Sequence, residues 1–247
     1  LFYHNLQRAD MRWGGSESGT VPYPSWGTFA YKAIGAGETT KKEIAANNFQ
    51  LLKTGDPNGS YYMPAMSDAP LRGNGGHDWF WSPNREEVLY PLNKLISMYY
   101  NSVGHNTSLI LGVTPDSRGL LPKADVDRLK DFGDAITSRF ANPIATGSGT
   151  GKKVALRLAK KEVINQVVIM EDITKGERIR KFIVEAKTDK GWQTLFDGSS
   201  IGHKFIYTFV DIETSKVRLR IKEAIGEPTI KNFEIFRIED YANAKKF

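Results

Sequence analysis

Apolar residues recur with two different periods along this chain, and the change falls near residue 150. Leu89, Leu92, Leu95, Ile96 and Tyr99 stand at the three-and-four spacing of an amphipathic helix, with Pro91 in or near its first turn. Residues 108–113, Ser-Leu-Ile-Leu-Gly-Val, suit a strand buried on both faces, as in a parallel sheet. Thr114-Pro115-Asp116-Ser117-Arg118-Gly119 then breaks the chain as a loop. A second helix is expected from about Lys123 to Phe140, with Val126, Leu129, Phe132, Gly133 and Ile136 on one side. Helix, buried strand, loop, helix is the rhythm of an α/β barrel, so residues 1–142 read as part of one.

Beyond residue 152 the period becomes two. Phe205, Tyr207 and Phe209 alternate with other residues, and Val217, Leu219 and Ile221 alternate with Lys and Arg. Further strands are expected at 154–158, 163–170, 179–187, 192–196 and 229–238, with turns at 174–176, 189–191 and 197–198. This spacing predicts an all-β sandwich or jelly roll over 152–247, with Trp192, Phe182, Phe205, Phe209, Leu219, Ile221, Phe233 and Ile235 in one core separate from the barrel. Residues 143–151, rich in Gly, Ser and Thr, read as a linker. Their end at Gly151-Lys152 is not a phosphate-binding loop: position 146 is Thr, Lys153 replaces the required Ser or Thr, and no apolar strand precedes it.

Composition narrows the function classes. No cysteine is present, which excludes disulfides, thiolate metal sites and a cysteine nucleophile. His4, His77, His105 and His203 show no metal-binding spacing, so no metal or other cofactor is expected. The net charge of +6 belongs wholly to the second region: residues 1–142 hold 14 basic and 14 acidic residues, leaving 20 and 14 for 143–247. There Lys and Arg interleave with acids on strand-like segments, which reads as a solvated sheet face rather than a nucleic-acid stripe. No apolar run reaches the ~18 residues of a membrane span. The chain opens on Leu1 without a basic, apolar leader; the expectation is that it starts inside a longer gene product.

The segment that carries chemistry is Arg8-Ala9-Asp10-Met11-Arg12-Trp13-Gly14-Gly15-Ser16-Glu17-Ser18-Gly19. It sets a carboxylate on a glycine-rich turn that can enter a cleft without steric obstruction. It resembles the Asp-x-Arg-Trp-x-Gly-(Asn/Ser)-Glu-x-Gly signature of glycoside hydrolase family 29, the α-L-fucosidases. Met63-Pro64-Ala65-Met66-Ser67-Asp68 followed by His77-Asp78-Trp79-Phe80-Trp81 is similar to a family segment whose aromatics line the sugar site. The stretch from Tyr99 to Gly119 resembles the family's last barrel strand and its loops, and is the most specific of the three.

The resemblance implies an exo-acting retaining α-L-fucosidase acting on fucosylated oligosaccharides or glycoconjugates, in the periplasm or outside the cell. Glu17 takes the place of the general acid/base and Trp79 packs on the sugar. His77, Asp68, Arg72 and Trp81 become candidate substrate contacts. Fucose carries an apolar C6 methyl, and an indole offers it a matched surface of about 150–250 Å². The sequence departs from the pattern where many relatives have Glu in place of Met66. It also lacks the Trp-Phe-Asp-Gly motif that bears the family's nucleophile, and neither Asp10 nor Asp68 is promoted to that role. A whole barrel takes about 250 residues, so the nucleophile is expected in an upstream, N-terminal part of the same barrel, a partner the chain needs. The rival reading is a non-catalytic carbohydrate-binding or scaffold protein that retains the barrel remnant.

Overall fold

A computed structural model describes residues 10–30 and 49–239. Arg8 and Ala9 of the glutamate segment, His4, and the last eight residues of the β-rich region lie outside them. In chain order the elements are β1 (Arg12–Trp13), β2 (Thr28–Phe29), α1 (Phe49–Thr54), β3 (Tyr61–Tyr62), β4 (Ala65–Pro70), α2 (Leu92–Tyr100), β5 (Ser108–Gly112) and α3 (Lys123–Phe140). Then come β6 (Ala145–Thr150), β7 (Lys153–Glu171), β8 (Ile179–Thr188), β9 (Gly191–Gly198), β10 (Phe205–Ala224) and β11 (Thr229–Phe236).

Strands β1, β4 and β5 pair in parallel in that order, with Met66 opposite both Trp13 and Ser108. Helix α2 follows the expected pattern: Pro91 sits at its N-cap, and Leu95, Ile96, Met98 and Tyr100 are buried. Ala69, Leu71, Leu89, Leu95 and Met98 form the core beneath it, with Leu129 and Phe132 of α3 against them. Three strands and two helices make an open arc of parallel α/β structure; no closed barrel forms among the described residues. The run at 108–113 is therefore not buried on both faces. β5 pairs only with β4, and Ile110 remains 40% exposed. Helix α3 keeps part of its expected face: Leu129 and Phe132 pack inward with Ala124 and Ala135, whereas Val126 is exposed and Gly133 faces open space.

The second region is one six-stranded antiparallel sheet, ordered β6-β11-β7-β10-β8-β9. Segments expected as separate strands are joined: 154–158 and 163–170 run within β7, and 205–209 and 217–221 within β10. Breaks in register between Thr208 and Ile212, and between Thr214 and Lys216, let these long strands bend. As a result Val154 and Leu156 from one half of β7 meet Val167 and Ile169 from the other in a single core with Phe182, Phe205, Leu219 and Phe233. Trp192 is not in that core; its ring is covered by the guanidinium of Arg218 at 3.8 Å.

Residues 145–150, expected to be part of a linker, are strand β6, paired with β11 from Ala145↔Ile235 to Thr150↔Thr229. Pairing with β11 makes a strand of this loop-like composition, and Gly147 lets Leu156 pack close, since a Cβ there would lie 2.7 Å from Leu156 Cδ2.

The core of the sheet is not wholly separate from the α/β region. Tyr23 packs on Phe196 and Phe205, and its hydroxyl donates to the Ser200 carbonyl at 3.0 Å. Ile96 and Tyr100 of α2 meet Val168, Ile206 and Phe236 in a shared cluster, with Phe140 of α3 against it. A polar junction completes the weld. Glu177 accepts from the Gly27 N–H at 2.9 Å and from Asn106 Nδ2 at 2.7 Å, while Asn106 Oδ1 accepts from the His203 N–H at 2.8 Å. Gly202 must lack a side chain there, since its Cβ would fall 2.0 Å from Asn106 Oδ1. Among the described residues, no helix is long and apolar enough to cross a membrane.

Candidate active site

Glu17 lies on the loop that leaves the C-terminal end of β1, and two hydrogen bonds pin that loop to β4. The Gly14 N–H donates to the Met66 carbonyl and the Gly19 N–H to the Asp68 carbonyl, both at 2.8 Å. Both glycines are required. A Cβ on Gly14 would stand 2.8 Å from the Met66 oxygen, and one on Gly19 (φ 68°) would stand 2.9 Å from Met98 Sδ. Along the loop, the hydroxyls of Ser16, Ser18 and Thr20 form a chain at 2.5 and 2.9 Å. The turn expected to be merely permissive is thus fixed at both ends.

The loop after β4 brings two partners to the glutamate. Its base is closed by the Asp78 N–H donating to the Arg72 carbonyl at 3.0 Å and by Arg85 donating to Asp78 at 3.1 Å. His77 holds φ 57° at the turn, and its Nε2 lies 2.7 Å from Glu17 Oε2. Trp79 Nε1–H donates to the same oxygen at 3.0 Å. These bonds, that of His77 first, hold the Glu17 carboxyl below its ordinary range. Glu17 and His77 remain 44% and 49% exposed, so the group is open to a ligand from solvent.

Trp79 is seated by strand β5. A Cβ on Gly112, the last residue of β5, would come within 2.4 Å of the indole, so the ring packs directly against a bare backbone. Asp68 stands nearby on β4 and accepts from Trp13 Nε1 at 2.8 Å. Burial pushes its carboxyl up, and the charge of Glu17 adds to the effect. Trp13, Ser16, Glu17, Ser18, His77 and Tyr90 line a cleft of about 510 Å³, within the usual range for small-ligand sites. A larger depression of about 640 Å³ lies beside it against α2, lined by Thr20, Val21, Asn101 and His105 among others, but Glu17 does not line it.

Among the residues singled out in the sequence, the structure gathers Glu17, His77, Trp79 and Asp68 at the C-terminal ends of three parallel strands. Arg72 is not with them. Its guanidinium is buried and donates to both carboxylate oxygens of Asp125, at 3.1 and 2.5 Å, and to the Arg85 carbonyl. It anchors α3 to the sheet edge, and a charge so paired has no donor facing the cleft. Trp81 is partly buried two residues beyond Trp79, outside the hydrogen bonds that join Glu17, His77 and Trp79. Trp13, Tyr90 and Gly112 were missed as site residues. Trp13 belongs to the quoted glutamate segment, while Tyr90 and Gly112 carry no local signal, because their roles exist only after the loops meet.

No protein-family profile matches the chain. It is 28% identical over 264 aligned residues to an α-L-fucosidase 1, provisionally so named, of Oryza sativa, and 27% identical over 264 to α-L-fucosidase 1 of Arabidopsis thaliana. Each alignment takes in 92% of this chain, which spans about half the length of those relatives, 48% and 49%. A crystal structure from Bacteroides thetaiotaomicron, provisionally assigned as an α-L-fucosidase, superposes with a TM-score of 0.89 at 48% identity, over 97% of this chain and 53% of that one. A glycoside hydrolase family 29 member from a rumen bacterium gives a TM-score of 0.78 at 26% identity, over 95% and 42%.

Proposed function

We propose that this chain, a relative of the glycoside hydrolase family 29 α-L-fucosidases, supplies the general acid/base of an exo-acting retaining enzyme that removes terminal α-L-fucose from oligosaccharides or glycoconjugates. The observation that carries the reading is Glu17, fixed between His77 and Trp79 at the C-terminal ends of parallel strands, where α/β enzymes gather their chemistry. Glu17 protonates the glycosidic oxygen as the bond to the anomeric carbon breaks, and that carbon bonds to a carboxylate nucleophile. Glu17, now ionised, takes a proton from the water that hydrolyses the glycosyl ester. In this reading the nucleophile comes from outside this chain, which carries no Trp-Phe-Asp-Gly motif and spans about half the length of its relatives, 48% and 49%. Its negative charge, about 5–5.5 Å away in a retaining enzyme, opposes ionisation of Glu17 and raises it toward the range an acid needs. Trp79 offers the indole face to the C6 methyl of fucose. The reading places the protein where such glycans are met, in the periplasm or outside the cell.

The test is Glu17→Gln in the complete protein. Natural oligosaccharides, whose leaving group needs protonation, should lose roughly 10²–10⁴-fold in rate. An aryl fucoside with a good leaving group should keep its first step and accumulate the intermediate, because water lacks a base. Azide needs no base and should restore turnover, giving α-fucosyl azide, since two inversions return the configuration of the substrate. Unchanged hydrolysis of natural substrates by the variant would remove Glu17 from the role.

A further inference from the structure

The outward face of β7, β10, β8 and β9 carries a charge pattern that hydrolysis does not use. These four strands are neighbours in the sheet. Val217, Leu219 and Ile221 of β10 are buried, so Lys216, Arg218 and Arg220 project from the opposite face. On β7 the same alternation buries Val154 and Leu156 and turns Lys153 and Arg157 outward. The register then sets Lys216 directly opposite Arg157 and Arg220 directly opposite Lys153. Like charges in opposed positions weaken a ladder, so folding alone does not favour this arrangement.

Acids do not offset it. Glu185 alone is drawn in, accepting from Arg218 and Arg220 at 2.7 and 3.1 Å each, and the pair holds its carboxyl down to about 2. Lys153, Arg157, Lys187 and Lys216 have no ion-pair partner among the described residues. Cations and acids that interleave along the sequence are thus sorted by the pairing onto a cationic grid, spaced roughly 5 Å between strands and 7 Å along them. At its edge stands Trp192, opposite Lys187, with the Arg218 guanidinium at 3.8 Å and the Lys187 and Lys216 ammonium groups each at 5.9 Å from its ring.

We infer that this face docks a sulfated polysaccharide, whose repeated anions meet the cationic grid. Charge complementarity selects a polyanion, and a fixed grid suits anions that repeat along a chain. A single-stranded nucleic acid fits less well, because it is bound through successive aromatic platforms and the grid has one indole. The surface lies on a different sheet from Glu17 and stands independently of the proposed hydrolysis.

Binding of dextran sulfate, unsulfated dextran and a single-stranded oligonucleotide to the complete protein tests this, by titration at several salt concentrations. Dextran sulfate should bind and weaken steeply with salt as counterions are released, and unsulfated dextran should bind at least about 100-fold less tightly. Arg157→Glu with Lys153→Glu should weaken dextran sulfate about tenfold or more while leaving Tm unchanged or raised, because each opposed like-charge pair becomes an opposite-charge pair. Arg157→Gln, which keeps the side chain's stem, should weaken it by about twofold or more, and serves should the double variant fail to fold. Equal binding by folded variants and parent would overturn the proposal, as would an oligonucleotide that binds more tightly than dextran sulfate at matched salt. Turnover of a small aryl fucoside should be untouched by these variants, which separates this surface from the hydrolytic site.

Discussion

The two regions of the molecule meet the same requirement in opposite ways. The β-rich region closes on itself: its six strands bend around one core, and Ile164, Phe182, Val184, Val217, Leu219 and Phe233 are fully buried within it. Among the described residues the α/β region does not. Its three parallel strands there end at β5, and Ile110, Leu120 and Val126 are exposed. The difference shows where each region spends its polar groups. In the β-rich part Glu185 is locked between two arginines, while in the α/β part Glu17 is held by His77 and Trp79 and stays open to solvent. Two carboxylates are held below their ordinary range by paired donors, one as structure and one poised for a ligand.

The contrast can be broken at several levels. Phe182→Ala removes a side chain at the centre of the closed core and should cost about 3–5 kcal/mol in denaturant unfolding. A cost under 1 kcal/mol would mean that the sheet does not close around a single core.

The junction between the regions should show itself in pH dependence. Burial lowers the His203 imidazole to about 4, so between about pH 6.5 and 4 the unfolded chain binds a proton that the folded chain refuses. Stability from this group is present above pH 6.5 and is lost as pH falls through 4. Burial raises Glu171 to about 7, which has the opposite sign: its contribution is present below pH 4.5 and is lost as pH rises through 7. Melting curves from pH 4 to 8 should therefore show His203→Gln with less acid sensitivity than the parent, and Glu171→Gln with less loss on the alkaline side. Parallel profiles for all three proteins would mean that neither group is desolvated in the folded protein.

The smallest effect should come from Ile110→Lys on the open edge of β5. Its side chain is already 40% exposed, so the change should lie within about ±0.5 kcal/mol in this 247-residue chain. The same substitution in a longer product should cost several times more if further strands cover β5 there, and calorimetry on both would sharpen the difference between the regions.

Local rules made much of this molecule legible. Helix α2 keeps the spacing of Leu92, Leu95, Ile96 and Tyr99, and the alternation of Val217, Leu219 and Ile221 fixes which face of β10 is buried. The turns at Gly176 and Gly191, with φ of 85° and 115°, are those that the sequence marks. The glutamate loop could be singled out because its glycines and Glu17 are contiguous. What the sequence left undecided depends on contacts between distant residues. His77 reaches Glu17 across 60 positions, Arg72 finds Asp125 across 53, and Tyr23 bonds to Ser200 across 177. A composition rich in Gly, Ser and Thr is a strand at 145–150 because β11 offers it a place, and an apolar run at 108–112 stays partly exposed because, among the described residues, only β4 pairs with it. Periodicity reports which side of an element is apolar, a property of neighbours along the chain. Which surfaces meet, and so which charges are buried, shared or left facing solvent, is set by strand pairing and loop closure between distant segments, and only the tertiary structure decides it.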